Sequence, residues 1–173
     1  MRGSCIIYRL PELQDKDILQ QYVQEHFDNN ESSISASLGL SSSDYAQWVE
    51  KIKTNALTGD DEWGKSLLYL CFDDGNFIGL LSIRYELPKA LSEKYGDIGY
   101  GVRPSERKKG YATQMLRYAL TVCKENGMEK AILGCYKSNI ASAATIIKCG
   151  GILVAENDNY KNGIVSQYYE LKL

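Results

Sequence analysis

Three cations and a glycine stand together at Arg107-Lys108-Lys109-Gly110, directly after a strand-like run, Ile98-Gly99-Tyr100-Gly101-Val102. Ile98, Tyr100 and Val102 alternate with small residues, the period of a pleated strand. Pro104 cannot donate a ladder hydrogen bond and ends that strand. From Tyr111 onward, Ala112, Met115, Leu116, Ala119, Leu120 and Cys123 form one apolar stripe at helical spacing, and Gly127 stops it. The basic loop therefore lies at a helix mouth, where N–H groups lack intrahelical acceptors and the macrodipole is positive. Gly110 leaves that backbone uncovered. Such a mouth suits a phosphate or a diphosphate.

Other chemistry is narrowed by what is scarce. His26 is the only histidine, which excludes a His-rich metal site and argues against Ser–His or Cys–His nucleophilic catalysis. The five cysteines, Cys5, Cys71, Cys123, Cys135 and Cys149, are odd in number and include no Cys-x-x-Cys pair. They read as small thiols in a reduced, cytoplasmic chain. No apolar run is long enough to span a bilayer, no secretory leader is seen, and no membrane partner is expected. The net charge of −2 gives a nucleic-acid partner no support, so the basic loop is a local feature of a mildly acidic protein.

The elements that must hold the loop follow from periodicity. The chain of 173 residues, 44% hydrophobic and 24% charged, reads as one globular domain over residues 1–173. A first strand covers Ile6 to Leu10, and a helix with Ile18, Leu19, Tyr22, Val23 and Phe27 on one side runs from Asp15. A polar loop to Ser43 leads to a second helix carrying Tyr45, Trp48, Val49 and Ile52, capped by Ser43 or Asp44. Ser66 to Phe72 and Phe77 to Tyr85 make a hairpin about Asp73-Asp74-Gly75-Asn76. Leu87 to Lys94 is a short helical turn, Tyr95 to Arg103 the motif strand, and Tyr111 to Glu125 the helix after the loop. Lys130 to Tyr136 is a buried strand, and Asn139 opens a helix to Cys149. The last strands, Ile152 to Glu156 and Val165 to Leu173, join through a turn at Asn159 to Gly163. The order is β-α-α-β-β-β-α-β-α-β-β.

Val102, Arg107, Gly110 and Ala112 fit the pattern Val-x-Pro-x-x-Arg/Gln-x-x-Gly-x-Gly/Ala, and with it the chain resembles the GNAT superfamily of N-acetyltransferases. The resemblance implies that family's fold, an α+β (mixed α/β) domain whose mixed, mostly antiparallel central sheet carries helices on both faces. It also implies acetyl-CoA as co-substrate and no metal. The diphosphate would lie on Arg107, Lys108, Lys109, Gly110, Tyr111, Ala112 and Thr113. The pantetheine arm would lie along Tyr100, Gly101 and Val102, where the flanking Gly99 and Gly101 read as a bulge or a close backbone approach. A bulge would free an N–H to polarise the thioester carbonyl. Asn139 with Ser142 matches the family's Asn-x-x-Ser/Ala beside the CoA arm, although Asn139 could equally serve as a bare helix cap.

The implied reaction is direct acetyl transfer to a primary amine, whose proton a general base removes. The family's bases are often carboxylates on central strands, which makes Asp97 and Glu86 the candidates. The family's usual acid, a tyrosine on the helix opened by the asparagine, is matched by Ile146, so the acid is unassigned. Asp28, Glu31, Asp60, Asp61 and Glu62, with Trp48 and Trp63, form an acidic and aromatic rim or ordinary surface. A rim would favour a cationic acceptor, a small-molecule amine or a peptide or protein amine; a homodimer stays open. Two alternatives remain: a non-catalytic acyl-CoA sensor of the same fold, and a different phosphate ligand such as a nucleotide, for which no Walker or Gly-x-Gly-x-x-Gly loop is present.

Overall fold

Two antiparallel sheets meet at one residue. The computed structural model describes residues 5–158 and 162–173. The first sheet has the order β1-β2-β3-β4, from Ile7–Arg9, Ser66–Asp73, Asn76–Arg84 and Ile98–Val102. The second has the order β5-β7-β6, from Lys130–Tyr136 (β5), Ile152–Asn157 (β6) and Ser166–Lys172 (β7). The helices are α1 (Lys16–Asp28), α2 (Tyr45–Leu57), α3 (Lys89–Tyr95), α4 (Tyr111–Glu125) and α5 (Ile140–Lys148).

Local chemistry accounts for most boundaries. Asp74 (φ 49) and Gly75 (φ 78) both take the left-handed conformation that a two-residue hairpin turn needs, so β2 and β3 pair through Asp73↔Asn76. The Asp44 carboxylate accepts the Gln47 N–H and caps α2. Gly96 (φ 79) closes α3, which shifts the start of β4 from the expected Tyr95 to Ile98. Of the expected final turn, residues 159–161 lie outside the described residues; Gly163 beside them has φ 74.

The first sheet is covered on both faces. On one, Leu19 and Tyr22 of α1 with Trp48, Val49 and Ile52 of α2 pack on Leu68, Leu70, Phe77 and Leu80. On the other, Met115, Leu116, Ala119 and Cys123 of α4 pack on Ile78, Leu81, Ile83 and Ile98, and reach Ala131 and Leu133 of β5. α4 thus bridges the two sheets through its apolar face. No helix among the described residues is long and apolar enough to cross a membrane.

Two details of the sequence reading are corrected. The sheet is split: among the described residues the main chains of β4 and β5 are tied where the Asp97 N–H donates to Ile132 O at 2.6 Å. The bulge considered for β4 is also absent. Its pairing with β3 runs without a shift from Gly79↔Val102 to Ile83↔Ile98, and the irregularities fall in β2 and β6. The glycines serve close approach instead. A Cβ on Gly101 would lie 3.0 Å from both Ser35 O and the Tyr22 hydroxyl, and a Cβ on Gly79 would collide with Gly101 O.

Candidate active site

Past Asp97 the edge of β4 facing β5 is open. Arg84 N–H donates to Asp97 O and Arg103 N–H to Ile78 O. Antiparallel alternation then turns the main-chain groups of Tyr100 and Val102 away from β3 and into the gap between the sheets. Of the three positions expected to pair with an extended arm, Tyr100, Gly101 and Val102, these two face the gap. Gly101, their neighbour, turns its main-chain groups to β3, and its carbonyl also accepts the Tyr22 hydroxyl at 3.3 Å.

At the end of this strand the loop takes an alternating conformation. Lys108 (φ 64) and Gly110 (φ 85) are left-handed on either side of Lys109. Alternation of this kind turns successive N–H groups toward one concavity, a nest for an anion. The first helical bond of α4 runs from Gln114 N–H to Gly110 O. The six amides of Lys108, Lys109, Gly110, Tyr111, Ala112 and Thr113 find no protein acceptor among the described residues. Beside Gly110 the space is empty, since a Cβ there would touch nothing within 4 Å. Tyr111 anchors the helix start by donating its hydroxyl to Asp73 at 2.8 Å.

The cations are placed differently from the expectation of three charges turned to the ligand. The Arg107 guanidinium donates through Nη1 and Nη2 to the two oxygens of Glu31, at 2.5 and 2.8 Å, and through Nε to Val102 O at 3.0 Å. Arg103 is held in the same manner by Glu25, whose other oxygen accepts the Ser105 N–H. Lys109 pairs with Glu106 at 2.9 Å. The helix mouth is therefore lined by backbone, and Lys108 is the cation of the 107–109 run without an ion pair among the described residues. Sequence reading missed Glu25 altogether and placed Glu31 on the acceptor rim. The signal was weak: two acids at the end of α1, far along the chain from two arginines in the loop.

Asn139 caps α5 by accepting the Ser142 N–H at 3.1 Å. Ser142 Oγ lies 3.0 Å from the Tyr100 hydroxyl, so β4 and α5 touch across the gap. Burial pushes the Tyr100 phenol up to about 12, against the opposing hydrogen bond of Ser142, and keeps it protonated. Ile146 is 1% exposed and belongs to the core around α4, so its side chain is not on the gap surface.

The two carboxylates have unlike settings. Asp97 is 2% exposed, and its Oδ2 accepts the Ile132 N–H at 2.7 Å. Burial raises its pKa above the ordinary 3.8, opposed by the bonds from Ile132 and Ser92 and by the charge of Arg84. It borders a cavity of 790 Å³ between α3 and the second sheet, where Tyr85, Lys94, Tyr168 and Glu170 also line the wall. Glu86 lies on the surface and accepts the Lys65 N–H at 2.9 Å. The expected acidic rim is dispersed. Trp48 is core, with its indole N–H on Ser37 O; Asp60 caps its own loop through the Glu62 and Trp63 amides. Among the described residues no group of His, Cys, Asp or Glu is arranged to hold a metal ion.

Against known proteins, the sequence matches the Acetyltransferase (GNAT) family over residues 36–150. The chain belongs to that family. Solved GNAT-like structures share its fold throughout. A ribosomal L7/L12 alpha-N-protein acetyltransferase, RimL, in complex with coenzyme A superposes with a TM-score of 0.74 at 18% identity, over 99% of this chain and 96% of that one. The microcin C7 self-immunity acetyltransferase MccE, in complex with acetyl-CoA and AMP, gives 0.72 at 18% identity, over 97% and 92%. A putative acetyltransferase, yncA, from Salmonella typhimurium with acetyl-CoA gives 0.70 at 15% identity, over 97% and 94%. No curated protein matches the sequence. Membership of the GNAT acetyltransferases makes the chain an N-acetyltransferase.

Proposed function

We propose that the chain transfers an acetyl group from acetyl-CoA directly to a primary amine, with the donor's diphosphate on the amides of residues 108–113 and its arm along Tyr100 and Val102. The observation that carries this reading is the run of six amides, around left-handed Lys108 and Gly110, without an acceptor among the described residues. Acetyl-CoA supplies the acetyl group as a thioester. The chain's part is to bind and orient. The α4 mouth places fixed positive partial charge against the diphosphate. The inward main-chain groups of Tyr100 and the N–H of Val102 offer strand-like bonds to the arm, while the Val102 carbonyl accepts Arg107 Nε. Asn139 and Ser142 flank the arm at the start of α5.

The acceptor amine is a cation in neutral solution and must lose a proton to attack. Asp97 is the proposed base, favoured over Glu86 because it borders the cavity and its pKa is raised toward the working range. The acceptor favoured is the amine of a peptide or protein, since RimL acts on a ribosomal protein's alpha-amine; small-molecule amines remain in the test panel. A cytoplasmic location suits the unpaired cysteines.

The test pairs binding with turnover. Calorimetry should show CoA bound by the full chain, and Gly110→Val should weaken it on the order of a hundredfold, because a β-branched residue disfavours the left-handed conformation and fills the anion's space. Thiol release from acetyl-CoA should appear with at least one amine class. A Gly110→Val protein that folds and binds CoA normally refutes the site. CoA binding with no turnover on any amine favours the sensor reading.

A further inference from the structure

The loop that forms the diphosphate mouth is held from outside the matched family residues. Glu31 lies before residue 36, in the turn that ends α1, yet its carboxylate receives four hydrogen bonds. Two come from the Arg107 fork. One comes from Asn29 Nδ2 at 2.7 Å, and one from His26 Nδ1 at 2.6 Å. An ionised carboxylate only accepts, so Nδ1 of His26 carries the hydrogen. His26 is 2% exposed, stacked edge-on against Tyr22, and its Nε2 has no partner among the described residues. A histidine with one nitrogen bonded and the other sealed in apolar surroundings orients what it touches. The fork of Arg107 is fixed at its other side by Val102 O, the last residue of β4. One rigid path thus runs from α1 through Glu31 and Arg107 to the strand end and the left-handed turn after it.

We infer that Glu31 is a positioning residue for the acetyl-CoA diphosphate: through Arg107 it holds the 107–110 turn in the form that aims the amides, and Arg107 itself does not bind the phosphates. This rests on the diphosphate reading of the loop. Bidentate Arg–carboxylate pairing sets geometry that a lysine cannot reproduce. The segment that follows Glu31 also covers the glycine face of β4, where Ser35 meets Gly101, so the clamp fastens the cover of the strand and the mouth of the helix together.

The sign of one measurement separates this from the obvious alternative. If Glu31 merely neutralised an arginine that would otherwise bind phosphate, Glu31→Gln would free it and tighten CoA binding. A positioning role requires the opposite. On the full chain, acetyl-CoA should bind Glu31→Gln more weakly, on the order of tenfold, the usual effect of losing a charged hydrogen bond that organises a site. Acetyl-pantetheine, which lacks the diphosphate, should bind wild type and variant alike by ligand-observed NMR. Arg107→Lys, which keeps the charge and loses the fork, should match Glu31→Gln, and the double variant should be no worse than either. Unchanged or tighter acetyl-CoA binding in Glu31→Gln overturns the inference. So does equal weakening of both donors, which would mean general damage, or a wild-type-like Arg107→Lys. If Glu31→Gln does not fold, Glu31→Asp supplies the same comparison with the charge kept and the reach shortened. A wild-type chain that binds both donors equally would instead refute the diphosphate reading beneath it.

Discussion

The two ends of β4 are finished in opposite ways. At its far end Glu25 of α1 and Glu31 just after it take up the arginines of the loop, and among the described residues six backbone amides are left without protein acceptors. At its near end a carboxylate on the residue just before the strand, Asp97, takes up a backbone amide, and the side chains of α3 and the second sheet line the cavity. One end offers main chain to a ligand and the other offers side chains. Main-chain recognition tolerates sequence change, because every residue but proline carries the same N–H. Side-chain recognition does not. The contrast fits a constant donor at one end and a chain-specific acceptor at the other.

The largest effect that would break this contrast lies at Asp97. Asp97→Asn should keep the acceptor for Ile132 N–H and remove the proton-accepting charge, so turnover should fall on the order of a hundredfold. CoA affinity, measured in parallel, should stay as it is. The wild-type acid limb should sit above the ordinary carboxylate value of 3.8, because burial raises this group. The loss in the variant should shrink at high pH, where more amine is already neutral. A variant with full activity at neutral pH would make Asp97 a sheet staple only.

A smaller effect tests whether the gap has a fixed lining. Restoring the family's tyrosine at position 146 looks like repair from sequence alone; the packing says otherwise. Ile146 is core, and its own atoms already crowd Gly151. Ile146→Tyr should cost about 1–3 kcal/mol of stability through overpacking, seen in denaturant unfolding, with no gain in turnover. Faster thiol release at unchanged stability would show that the side chain reaches the gap after all.

The smallest effect concerns the clamp at the donor end. The Arg107 guanidinium, against the cost of burial, and the bonds from His26 and Asn29 hold the Glu31 carboxyl down at about 2, against 4.5 unperturbed. A depressed acid contributes stability that is full above the unfolded value and is lost as pH falls through the folded one. The stability gap between wild type and Glu31→Gln should therefore close between about pH 4.5 and pH 2. A gap that persists at pH 2 would mean that the carboxylate charge is not what holds the turn.

Much of this was legible in the chain, for local reasons. The Asp74-Gly75 turn, the α4 stripe and the strand–Pro–Gly–helix passage are each decided within a few residues, and the structure has them where periodicity puts them. The occupancy of side chains was not legible. Arg107 meets a partner 76 positions away, and nothing in a basic loop tells whether its charge faces a ligand or a neighbour. Gly99 and Gly101 fitted a bulge as well as a close contact, and only the segment at Ser35–Ala36 decides between them. Trp48 had the right composition for a rim and the right spacing for a core, and its burial between α2 and the first sheet settled it.

The junction at Asp97 has a mechanical consequence. Main-chain ladders stiffen each sheet, but between the sheets the N–H of Asp97 and the amide received by its carboxylate are the paired bonds at the line of contact. That residue is a fulcrum. α4 packs on both strands beside it and α5 on α4 and β5, so load on these helices is carried to the line between the sheets and not to either ladder.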